Sequence, residues 1–372
     1  MKQLYDTIIV GAGIMGSTVA LFLARAGKKV LLIDKSQIFR SASGSNAGTL
    51  TIHMTRANLV PYALKGWEMW MTTKDWLSKN IEIKHQPGLC LAFTNEEEKL
   101  LIERSEIRNQ HGANIKILSN SEATKIEPTI SSKIKCAAFS EIDGYAYANQ
   151  TGYGYKEALE KEGIDILENS EVININKNNN YEIKIKNEDS HPTYYSKEIV
   201  LAAGVWLGQV LKMLNIDINL KCLAQQLIVT ERMNNFLNSV ITIANGKLSL
   251  KQFSNGTVLI GGGWPGIGRI EDKFTATKPE NLIGNIRLAC SATPELKNTR
   301  ISRVWLGLEA ETDDAMPIIG PLPNNEGAYV IGSVHSGYTS GPYMGKILAN
   351  YILEKKTNLE LFNISRLIKN YD

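Results

Sequence analysis

The stretch DTIIVGAGIMGSTVALFLARAGKKVLLID, residues Asp6–Asp34, decides the fold of this 372-residue chain. Its first apolar run, Thr7–Val10, is unbroken, which is typical of a strand that is covered on both faces of a parallel sheet. An apolar helix is predicted to follow and to end at Gly27, a residue suited to a left-handed helix cap. A second strand over Lys29–Ile33 completes a strand–helix–strand unit.

Three glycines and one acid in this unit indicate a bound dinucleotide. In the pattern G-x-G-x-x-G, Gly11 permits a tight turn, Gly13 lets the backbone approach a pyrophosphate, and Gly16 lets helix and strand pack closely. The helix N-terminus offers N–H groups and the positive end of its dipole to phosphates. Asp34 follows about twenty residues further on, where it can accept hydrogen bonds from a ribose. Strand, glycines, helix and acid together predict a dinucleotide-binding domain.

Composition excludes several classes of protein. The length predicts about two domains at ~150 residues each, and 43% hydrophobic residues suffice for a sizeable core. A net charge of +3 gives no indication of a nucleic-acid partner. The cysteines are scattered without a C-x-x-C pair, which argues against a metal site, an iron–sulfur cluster or a disulfide framework. They are Cys90, Cys136, Cys222 and Cys290.

The chain contains no run of about twenty apolar residues, so no transmembrane segment is predicted. Its first core strand begins within a few residues of Met1, which predicts that there is no signal peptide. We therefore expect a cytoplasmic protein, with peripheral membrane association left open.

Helices and strands are predicted along the rest of the chain from their hydrophobic periods and turn residues. Helices are expected over Ala57–Asn80, from a Thr94–Glu97 capping box to Gly112, and over Gly152–Glu162 and Pro279–Cys290; strands are expected over His85–Phe93 (with a Pro-Gly turn), Ile164–Leu167, Glu171–Asn176, Tyr181–Lys186, Glu198–Ala203, Gln226–Thr230, Leu248–Phe253, Thr257–Gly262, Arg303–Leu308 and Tyr329–Ile331; short strands and turns are expected over Ile115–Ile142. After Tyr329–Ile331, a glycine-rich turn over Gly332–Gly345 is expected to lead into a last helix.

Both ends of the chain thus show a strand, a glycine-rich turn and a helix, which predicts that they share one nucleotide-binding domain. Its predicted segments are residues 1–80, 143–215 and 316–372. The middle strands, in residues 81–142 and 216–315, are predicted to form a second, interleaved substrate domain.

Five stretches, in order along the chain, resemble the D-amino-acid oxidase-like family of FAD flavoproteins. This family holds glycine oxidase, sarcosine oxidase, D-amino-acid dehydrogenase and the FAD-binding subunits of opine and proline dehydrogenases. The stretches are VGAGIMGSTVALFLARAG with LLIDK (Val10–Gly27 and Leu31–Lys35), SASGSNAGTL (Ser41–Leu50), VLAAGVW (Val200–Trp206), WLGLEAETDDAMPIIGP (Trp305–Pro321) and HSGYTSGPYMG (His335–Gly345). By itself the small-residue stretch Ser41–Leu50 fits either a ligand contact or a flexible loop, and the resemblance favours flavin contact.

The resemblance implies an α/β fold. A Rossmann-like FAD-binding domain, with a mostly parallel sheet and helices on both faces, would be interleaved with an α+β substrate domain on a mixed or antiparallel sheet. The implied cofactor is FAD, and it is expected to be non-covalent because Trp305–Pro321 contains no cysteine.

The resemblance also implies which residues contact FAD. These are Gly11, Ala12, Gly13, Ile14, Met15 and Gly16 at the pyrophosphate; Asp34 and Lys35 at the adenosine ribose; Ser41, Ala42, Ser43, Asn46, Ala47 and Gly48 along the pyrophosphate and isoalloxazine; Val172 at the adenine; Ala203, Gly204 and Trp206 near the phosphates; and Gly337, Tyr338, Thr339 and Ser340, whose N–H groups would face the flavin pyrimidine edge.

One departure from the family pattern bears on the substrate. Many members have G-L-R-P, whose arginine pairs with a substrate carboxylate, but here Glu309 stands in that position. Glu309 could receive an amine, a guanidinium, or a structural arginine such as Arg303. His335, in the last flavin loop, and His53, just after the second, are candidates for contact with substrate, and a structural role is the alternative for each.

The resemblance implies an FAD-dependent amine oxidoreductase that transfers hydride from the amine-bearing carbon of an amino acid, imino acid or N-alkyl amino acid to flavin N5. Two alternatives stay open: an NAD-dependent dehydrogenase, and a non-catalytic flavin-binding subunit. The expected partners are a small amine or amino acid, and oxygen or a redox protein as electron acceptor. A partner subunit or a homo-oligomer is also left open.

Overall fold

The predicted strand–helix–strand unit forms at the start of the chain. The computed structural model describes residues 4–77, 81–187, 190–270, 274–334 and 337–368. Strand β1 (Leu4–Val10), helix α1 (Ile14–Arg25) and strand β2 (Val30–Ile33) follow in the expected order. Gly27 has φ +85° and lies just beyond the helix, which confirms the predicted left-handed residue there.

The remaining elements alternate between strands and helices within these residues. The strands are β3 (Thr49–Leu50), β4 (Ile83–Ala92), β5 (Lys116–Ser119), β6 (Cys136–Ala146), β7 (Asp165–Leu167), β8 (Glu171–Lys177), β9 (Tyr181–Lys186), β10 (Thr193–Leu201), β11 (Lys221–Arg232), β12 (Val240–Ile243), β13 (Ser249–Gln252), β14 (Thr257–Gly261), β15 (Ile267–Arg269), β16 (Phe274–Ala276), β17 (Ile301–Glu311), β18 (Ile318–Pro321) and β19 (Ala328–Gly332). The helices are α2 (Val60–Met71), α3 (Thr73–Trp76), α4 (Asn95–Gln110), α5 (Asn120–Ile126), α6 (Ala148–Lys161), α7 (Leu207–Lys212), α8 (Pro279–Ala292) and α9 (Gly337–Ile352).

The first sheet is mostly parallel, as predicted. Its order is β18-β19-β10-β1-β2-β7, in which β19, β10, β1, β2 and β7 run parallel and β18 is antiparallel at one edge. Helices α1, α6 and α9 cover one face through a core that includes Ile9, Leu32 and Val200. The other face packs on α7 and on the hairpin of β8 and β9. Alternate residues of the same strands therefore serve two cores.

The second sheet is mixed and strongly curled. Its order is β17-β11-β14-β13-β12-β4-β6-β3, with β5 on β6; the pair of β4 and β12 is parallel and the other recorded pairs are antiparallel. In a flat sheet β3 and β13 would lie about 19 Å apart, at ~4.8 Å per strand. Instead the Thr49 and Ser249 hydroxyl oxygens are 3.2 Å apart. The sheet therefore folds over its own polar concave face, which closes one side of the cavity described below.

The last helix corrects the expected turn over Gly332–Gly345. Helix α9 already begins at Gly337 and runs through Pro342. Proline has no N–H to donate to the carbonyl four residues earlier, that of Tyr338. The Trp70 indole N–H donates to this carbonyl at 3.0 Å, so the helix continues without an unpaired acceptor. The glycines serve close packing here, since a Cβ on Gly345 would lie 2.6 Å from the Cβ of Thr18 on α1.

Other local expectations are also corrected. The helix expected over Ala57–Asn80 is a 3₁₀ turn followed by α2 and α3, and residues 78–80 lie outside the described residues. The Pro-Gly turn at Pro87 and Gly88 is a register irregularity inside β4. The expected start of α4 is found: the Thr94 hydroxyl accepts the N–H of Glu97, and the Glu97 carboxylate accepts the N–H of Phe93. Helix α5, in a region expected to hold strands and turns, begins with a capping box of Ser119 and Glu122.

No helix in the described part of the chain combines the length and apolar character needed to span a bilayer. The predicted limits of the two domains stay a prediction, because sheet membership alone does not define them.

The contact between α2 and α9 should not tolerate a side chain at Gly66. A Cβ there would lie 2.1 Å from the Thr339 carbonyl oxygen and 2.8 Å from the Ser340 Cα. We expect Gly66→Ala to lower the free energy of unfolding by about 1–3 kcal/mol, as overpacking does. Gly208→Ala in α7 is the control, because its Cβ would have nearest neighbours at 3.9 Å and should add up to ~1 kcal/mol through helix propensity. Urea unfolding measures both, and equal stabilities would contradict the tight contact.

Candidate active site

A cavity of about 400 Å³ opens at the carboxyl ends of the parallel strands and extends onto the second sheet. Most of the residues that the sequence predicted at the cofactor line it, although they come from distant parts of the chain. These are Gly11, Gly13, Ile14, Met15, Gly16, Asp34, Lys35, Ser41, Ala42, Ser43, Asn46, Ala47, Val172, Ala203, Gly204, Trp206, Gly337, Tyr338 and Thr339, together with Glu309.

Three predicted contact residues lie behind this lining. Ala12 is fully buried and its N–H donates to the Asp34 carboxylate at 2.7 Å. The Gly48 N–H donates to the side-chain oxygen of Asn46 at 2.8 Å, which shapes the loop that reaches the cavity. Ser340 is buried within α9. Their roles are therefore in holding the lining residues, and direct contact with a ligand stays a prediction.

The phosphate-binding turn has the geometry that its glycines predicted. Gly11 has φ +109°, and a Cβ there would lie 2.3 Å from the Ala202 carbonyl oxygen at the end of β10. The Cβ of a residue at position 16 would lie 2.0 Å from the Gly11 carbonyl oxygen. The N-cap residue of α1, Gly13, has no side chain that could accept a hydrogen bond from the first turn. The Ser43 hydroxyl, from the loop before β3, accepts the Ile14 N–H at 3.0 Å. The first turn of α1 thus presents N–H groups and a positive dipole end to the cavity, a donor set that fits a pyrophosphate.

The end of the cavity beside β2 carries a half-buried acid, Asp34, followed by a lysine, Lys35. Asp34 accepts hydrogen bonds from Ala12 and from the N–H and hydroxyl of Ser36. Burial raises the pKa of Asp34, while these hydrogen bonds act in the opposite direction. The Lys35 Nζ lies 3.1 Å from the centroid of the Trp206 ring, a cation–π contact. Val172 lines the cavity on the same side.

The first turn of α9 reaches the opposite end of the cavity. The Gly337 N–H donates to the Val334 carbonyl at 3.0 Å, so this group is already paired. The Thr339 hydroxyl accepts the Thr51 N–H at 3.3 Å and donates to the Thr49 carbonyl at 3.4 Å. These bonds tie α9 to strand β3 and to the residue that follows it, and they place the helix N-terminus beside this strand.

The second sheet supplies the remaining wall. Strand β17 docks on the loop before β3, because the Trp305 indole N–H donates to the Ser45 carbonyl at 2.9 Å. Glu309 on β17 lines the cavity, and Gln225 and Ser249 from neighbouring strands line it as well. Sequence reasoning missed Gln225 and Ser249, since alternation along a strand does not show which of its two faces meets a cavity that begins at another sheet.

The expectation that Arg303 could pair with Glu309 is wrong. Both residues lie on β17, six positions apart, which separates their backbones by about 20 Å at ~3.3 Å per residue. Two residues beyond Glu309 on the same face, Glu311 pairs with Arg56 at 3.3 Å. Charges of both signs therefore lie on or beside this wall.

The two candidate histidines have different outcomes. His53 is buried away from the cavity lining, and its Nε2 lies 3.3 Å from the Gly88 carbonyl oxygen. Burial, with a smaller contribution from Arg108, lowers the pKa of His53 to about 4, so the ring is neutral at physiological pH. The structure therefore places His53 in the interior, not at the reacting face. His335 lies outside the described residues.

Two buried residues near the cavity, Asp143 and Lys251, have ionisable side chains and were not identified by the sequence analysis. Asp143 on β6 is fully buried and accepts hydrogen bonds from the Thr51 hydroxyl at 2.5 Å and the Ile52 N–H at 3.1 Å. Lys251 on β13 is 1% exposed, and its Nζ donates to the Thr49 hydroxyl at 2.6 Å. The sequence offered no clear signal, because β13 (SLKQ) and the SEID stretch of β6 contain other polar residues and do not indicate burial of the charged one. Within the described residues, no cluster of potential metal ligands was found.

The sequence and the fold are similar to those of known proteins. The protein-family model described as DAO, FAD dependent oxidoreductase, matches residues 6–351. A glycine oxidase from Bacillus licheniformis is 24% identical over 387 residues, with 97% of this chain and 96% of the relative covered. The crystal structure of glycine oxidase from Geobacillus kaustophilus has a TM-score of 0.88 at 20% identity, with 100% of both chains covered. That of L-proline dehydrogenase from P. horikoshii has a TM-score of 0.86 at 24% identity, with 96% of each chain covered.

A branched side chain at Gly13 should block the phosphate approach. Its Cβ would lie 3.1 Å from the Ser43 hydroxyl oxygen, and the methyl groups of valine would extend into the cavity. We expect Gly13→Val to weaken FAD binding at least about tenfold, the equivalent of ~1.4 kcal/mol. The ratio of visible to ultraviolet absorbance of the purified protein measures flavin content, and Gly208→Val on α7 is the control. A Gly13→Val protein with normal flavin content would show that the phosphate turn is wrongly assigned.

Asp143 should make stability depend on pH. Burial raises its pKa to about 7, whereas an unfolded aspartate titrates near ~3.9. Between these values the folded protein holds a proton that the unfolded chain releases. The free energy of unfolding should therefore fall by up to ~1.4 kcal/mol per pH unit as the pH rises from about 4 to about 7. Asp143→Asn should remove this slope in urea unfolding, and Glu141→Gln, on the exposed face of β6, should keep it. An unchanged slope in Asp143→Asn would sink the prediction.

Proposed function

The chain belongs to the FAD-dependent oxidoreductase family, and from this premise we propose that it oxidises the amine-bearing carbon of an amino acid, an imino acid or an N-alkyl amino acid. FAD is the cofactor, and when bound it supplies the hydride acceptor, N5 of its ring system. The oxidised product is an imine, which water then hydrolyses. The family match over residues 6–351 supports an enzyme that acts on amino acids or amines.

One observation carries the proposal: a single cavity joins the phosphate turn, the loop before β3, the first turn of α9 and the wall of the second sheet. The first three belong to a dinucleotide site that ends at a helix N-terminus. The fourth is a separate wall lined by Gln225, Ser249 and Glu309, which are polar groups of the kind that orient a small substrate. A site with both parts can hold a substrate against the end of a bound dinucleotide.

The residues present fit FAD. The N–H groups of the first turn of α1 and the Ser43 hydroxyl would hold the pyrophosphate, and Asp34 would accept a ribose hydroxyl. The start of α9 would place N–H donors beside the flavin pyrimidine edge, where a positive helix end stabilises negative charge. Gly337 already donates to Val334, so Tyr338 and Thr339 are the stronger candidates for this role.

The protein's part in the reaction is to bind and orient the substrate and to limit its contact with water. The curled second sheet covers one side of the cavity, which would limit the access of bulk water to the reacting carbon. Glu309 faces the substrate side of this cover, so it would attract a cationic group and repel a carboxylate. A wall of this charge favours substrates that bring an additional cation or hydrogen-bond donor.

The visible spectrum of the purified protein tests the proposal first, followed by anaerobic addition of glycine, sarcosine, proline and arginine, whose guanidinium represents a substrate with an additional cation. We expect flavin absorbance bands and bleaching by at least one member of this amine series. Return of colour on admission of air would identify oxygen as an acceptor, and persistence of the bleached state would indicate a redox partner. A colourless protein that NAD saturates would overturn the proposal, and a yellow protein that no amine bleaches would favour a non-catalytic flavin subunit.

Substitutions of Glu309 should change substrate preference. We expect Glu309→Gln to lower kcat/KM for a guanidino- or amino-bearing amino acid about tenfold, the loss of ~1.4 kcal/mol, and to change that for sarcosine little. Glu309→Arg should shift preference towards simple amino acids, because a carboxylate then meets a guanidinium fork. Glu311→Gln, two residues along the same strand, is the control because Glu311 already pairs with Arg56. Equal losses on all substrates, with a lowered melting temperature, would make Glu309 structural.

The flavin should be released by acid. None of the four cysteines lines the cavity, and Cys90 and Cys136 are buried elsewhere in the second sheet. His53 also lies off the cavity lining, so the described residues offer neither a cysteine nor this histidine for a covalent link. Trichloroacetic acid should leave a white pellet and a yellow supernatant. Free flavin is the control for the yellow supernatant, and ribonuclease, which carries no flavin, is the control for the white pellet. A yellow pellet would contradict non-covalent attachment.

A further inference from the structure

Lys251 is a buried amine one side chain away from the cavity. It lies on β13, is 1% exposed, and donates from Nζ to the Thr49 hydroxyl oxygen at 2.6 Å. Thr49 lines the cavity, and so does Ser249, two residues before Lys251 on the same face of the strand. The Thr49 and Ser249 hydroxyls lie 3.2 Å apart. The amine therefore sits directly behind the polar part of the cavity wall.

No carboxylate of the described residues lies within ion-pair distance of the Lys251 Nζ, which is unusual for a buried lysine. A buried ammonium without a counter-charge is costly, and such a group tends to shed its proton. Accordingly, burial lowers the pKa of Lys251 to about 7. Near neutral pH this lysine is thus poised between an amine and an ammonium.

Few titratable groups face Lys251. The Phe253 ring centroid lies 5.7 Å from the Lys251 Nζ. Two tyrosines pack against this ring: Tyr145 in β6, and Tyr147, the residue after β6. Burial raises the pKa of both tyrosines, so they stay protonated at neutral pH. Asp143, also on β6, directs its carboxylate to Thr51 and Ile52 instead. Strand β3 contributes Thr49, which does not titrate in this range.

We propose that Lys251 is a positioning residue for substrate activation: it orients the Thr49 hydroxyl and accepts, through that hydroxyl, the proton that a bound ammonium substrate must lose. This inference rests on the proposed amine oxidation, in which the nitrogen lone pair must be free before hydride leaves the neighbouring carbon. Thr49 is the group that meets the substrate, and Lys251 acts through it.

The relay balances without a further reactant. An N–H bond of the substrate ammonium breaks as an O–H bond forms at the Thr49 Oγ1. When Lys251 is a neutral amine, the Thr49 hydroxyl directs its hydrogen to the lone pair of Nζ across the same 2.6 Å, and the original O–H bond of Thr49 breaks as an N–H bond forms at the Lys251 Nζ. The substrate becomes a neutral amine and Lys251 an ammonium, and no electrons are exchanged. When product leaves and water enters the cavity, the proton returns by the reverse route.

The first measurement asks whether Lys251 is neutral in the folded, FAD-loaded protein. Between about pH 7 and pH 10 the unfolded chain would hold a proton on Lys251 that the folded protein lacks, so raising the pH favours the folded state. Urea unfolding should show the unfolding constant of the wild type falling about tenfold per pH unit relative to Lys251→Met. Parallel curves for the two proteins would mean that Lys251 keeps its proton, which would overturn the proposal.

The second measurement is kcat/KM against pH, with whichever of glycine, sarcosine, proline and arginine bleaches the flavin fastest. The wild type should lose about tenfold per unit below pH ~7, the slope of one required base. Lys251→Met, Lys251→Arg and Thr49→Val should lose this acidic limb, because each removes the acceptor or the relay. Thr49→Ser should keep it, since the hydroxyl is retained.

The outcomes separate the relay from the proposed function. An acidic limb that persists in Lys251→Met or Thr49→Val would overturn the relay even in an active amine oxidoreductase. A merely structural Lys251 would lower activity at every pH and leave the limb in place. If none of the four compounds bleaches the flavin, the proposed function fails and the relay falls with it, whatever the unfolding measurement shows about the proton on Lys251.

Discussion

The structure depends on one constraint, the close meeting of backbone at the carboxyl edge of the parallel sheet. Strands β1, β2, β10 and β19 end at this edge, so the segments that follow them converge there. The turn at Gly11 touches the end of β10 so closely that a Cβ would lie 2.3 Å from the Ala202 carbonyl oxygen. This approach aims the N-terminus of α1 into the cavity and leaves its first N–H groups for phosphate. Every other part of the site is arranged around that helix end.

The second sheet depends on the first through a small set of polar bonds. The Thr339 hydroxyl, on the first turn of α9, donates to the carbonyl of Thr49 in β3 and accepts the N–H of Thr51, the residue after β3. Those threonines in turn bond the two buried ionisable groups, Lys251 and Asp143. A buried polar network of this kind is stable only when each member has a partner, and it specifies one arrangement of the two sheets. The curl of the second sheet is what brings these partners together.

Where expectation and structure differ, tertiary contact overrode a local rule. The glycines and proline of Gly332–Gly345 indicate a turn by themselves, yet α9 forms there because Trp70 satisfies the carbonyl that Pro342 leaves unpaired. His53 follows a predicted flavin loop in sequence, but its ring turns into the interior. Arg303 and Glu309 are near in sequence and separated by an extended strand. Local patterns describe the chain's neighbours along the sequence, whereas these outcomes depend on neighbours in space.

The sequence by itself determined the dinucleotide fingerprint, the α/β fold and the family, because glycine spacing, apolar runs and the acid at Asp34 act within one strand–helix–strand unit. Most of the predicted cofactor residues line the cavity for the same reason: each lies in a short segment whose shape is set locally. Only the tertiary structure decided which residues of the second sheet face that cavity, and that Lys251 and Asp143 are buried beside it. Alternation along a strand specifies two faces, and the packing of one sheet on another decides which face meets the ligand.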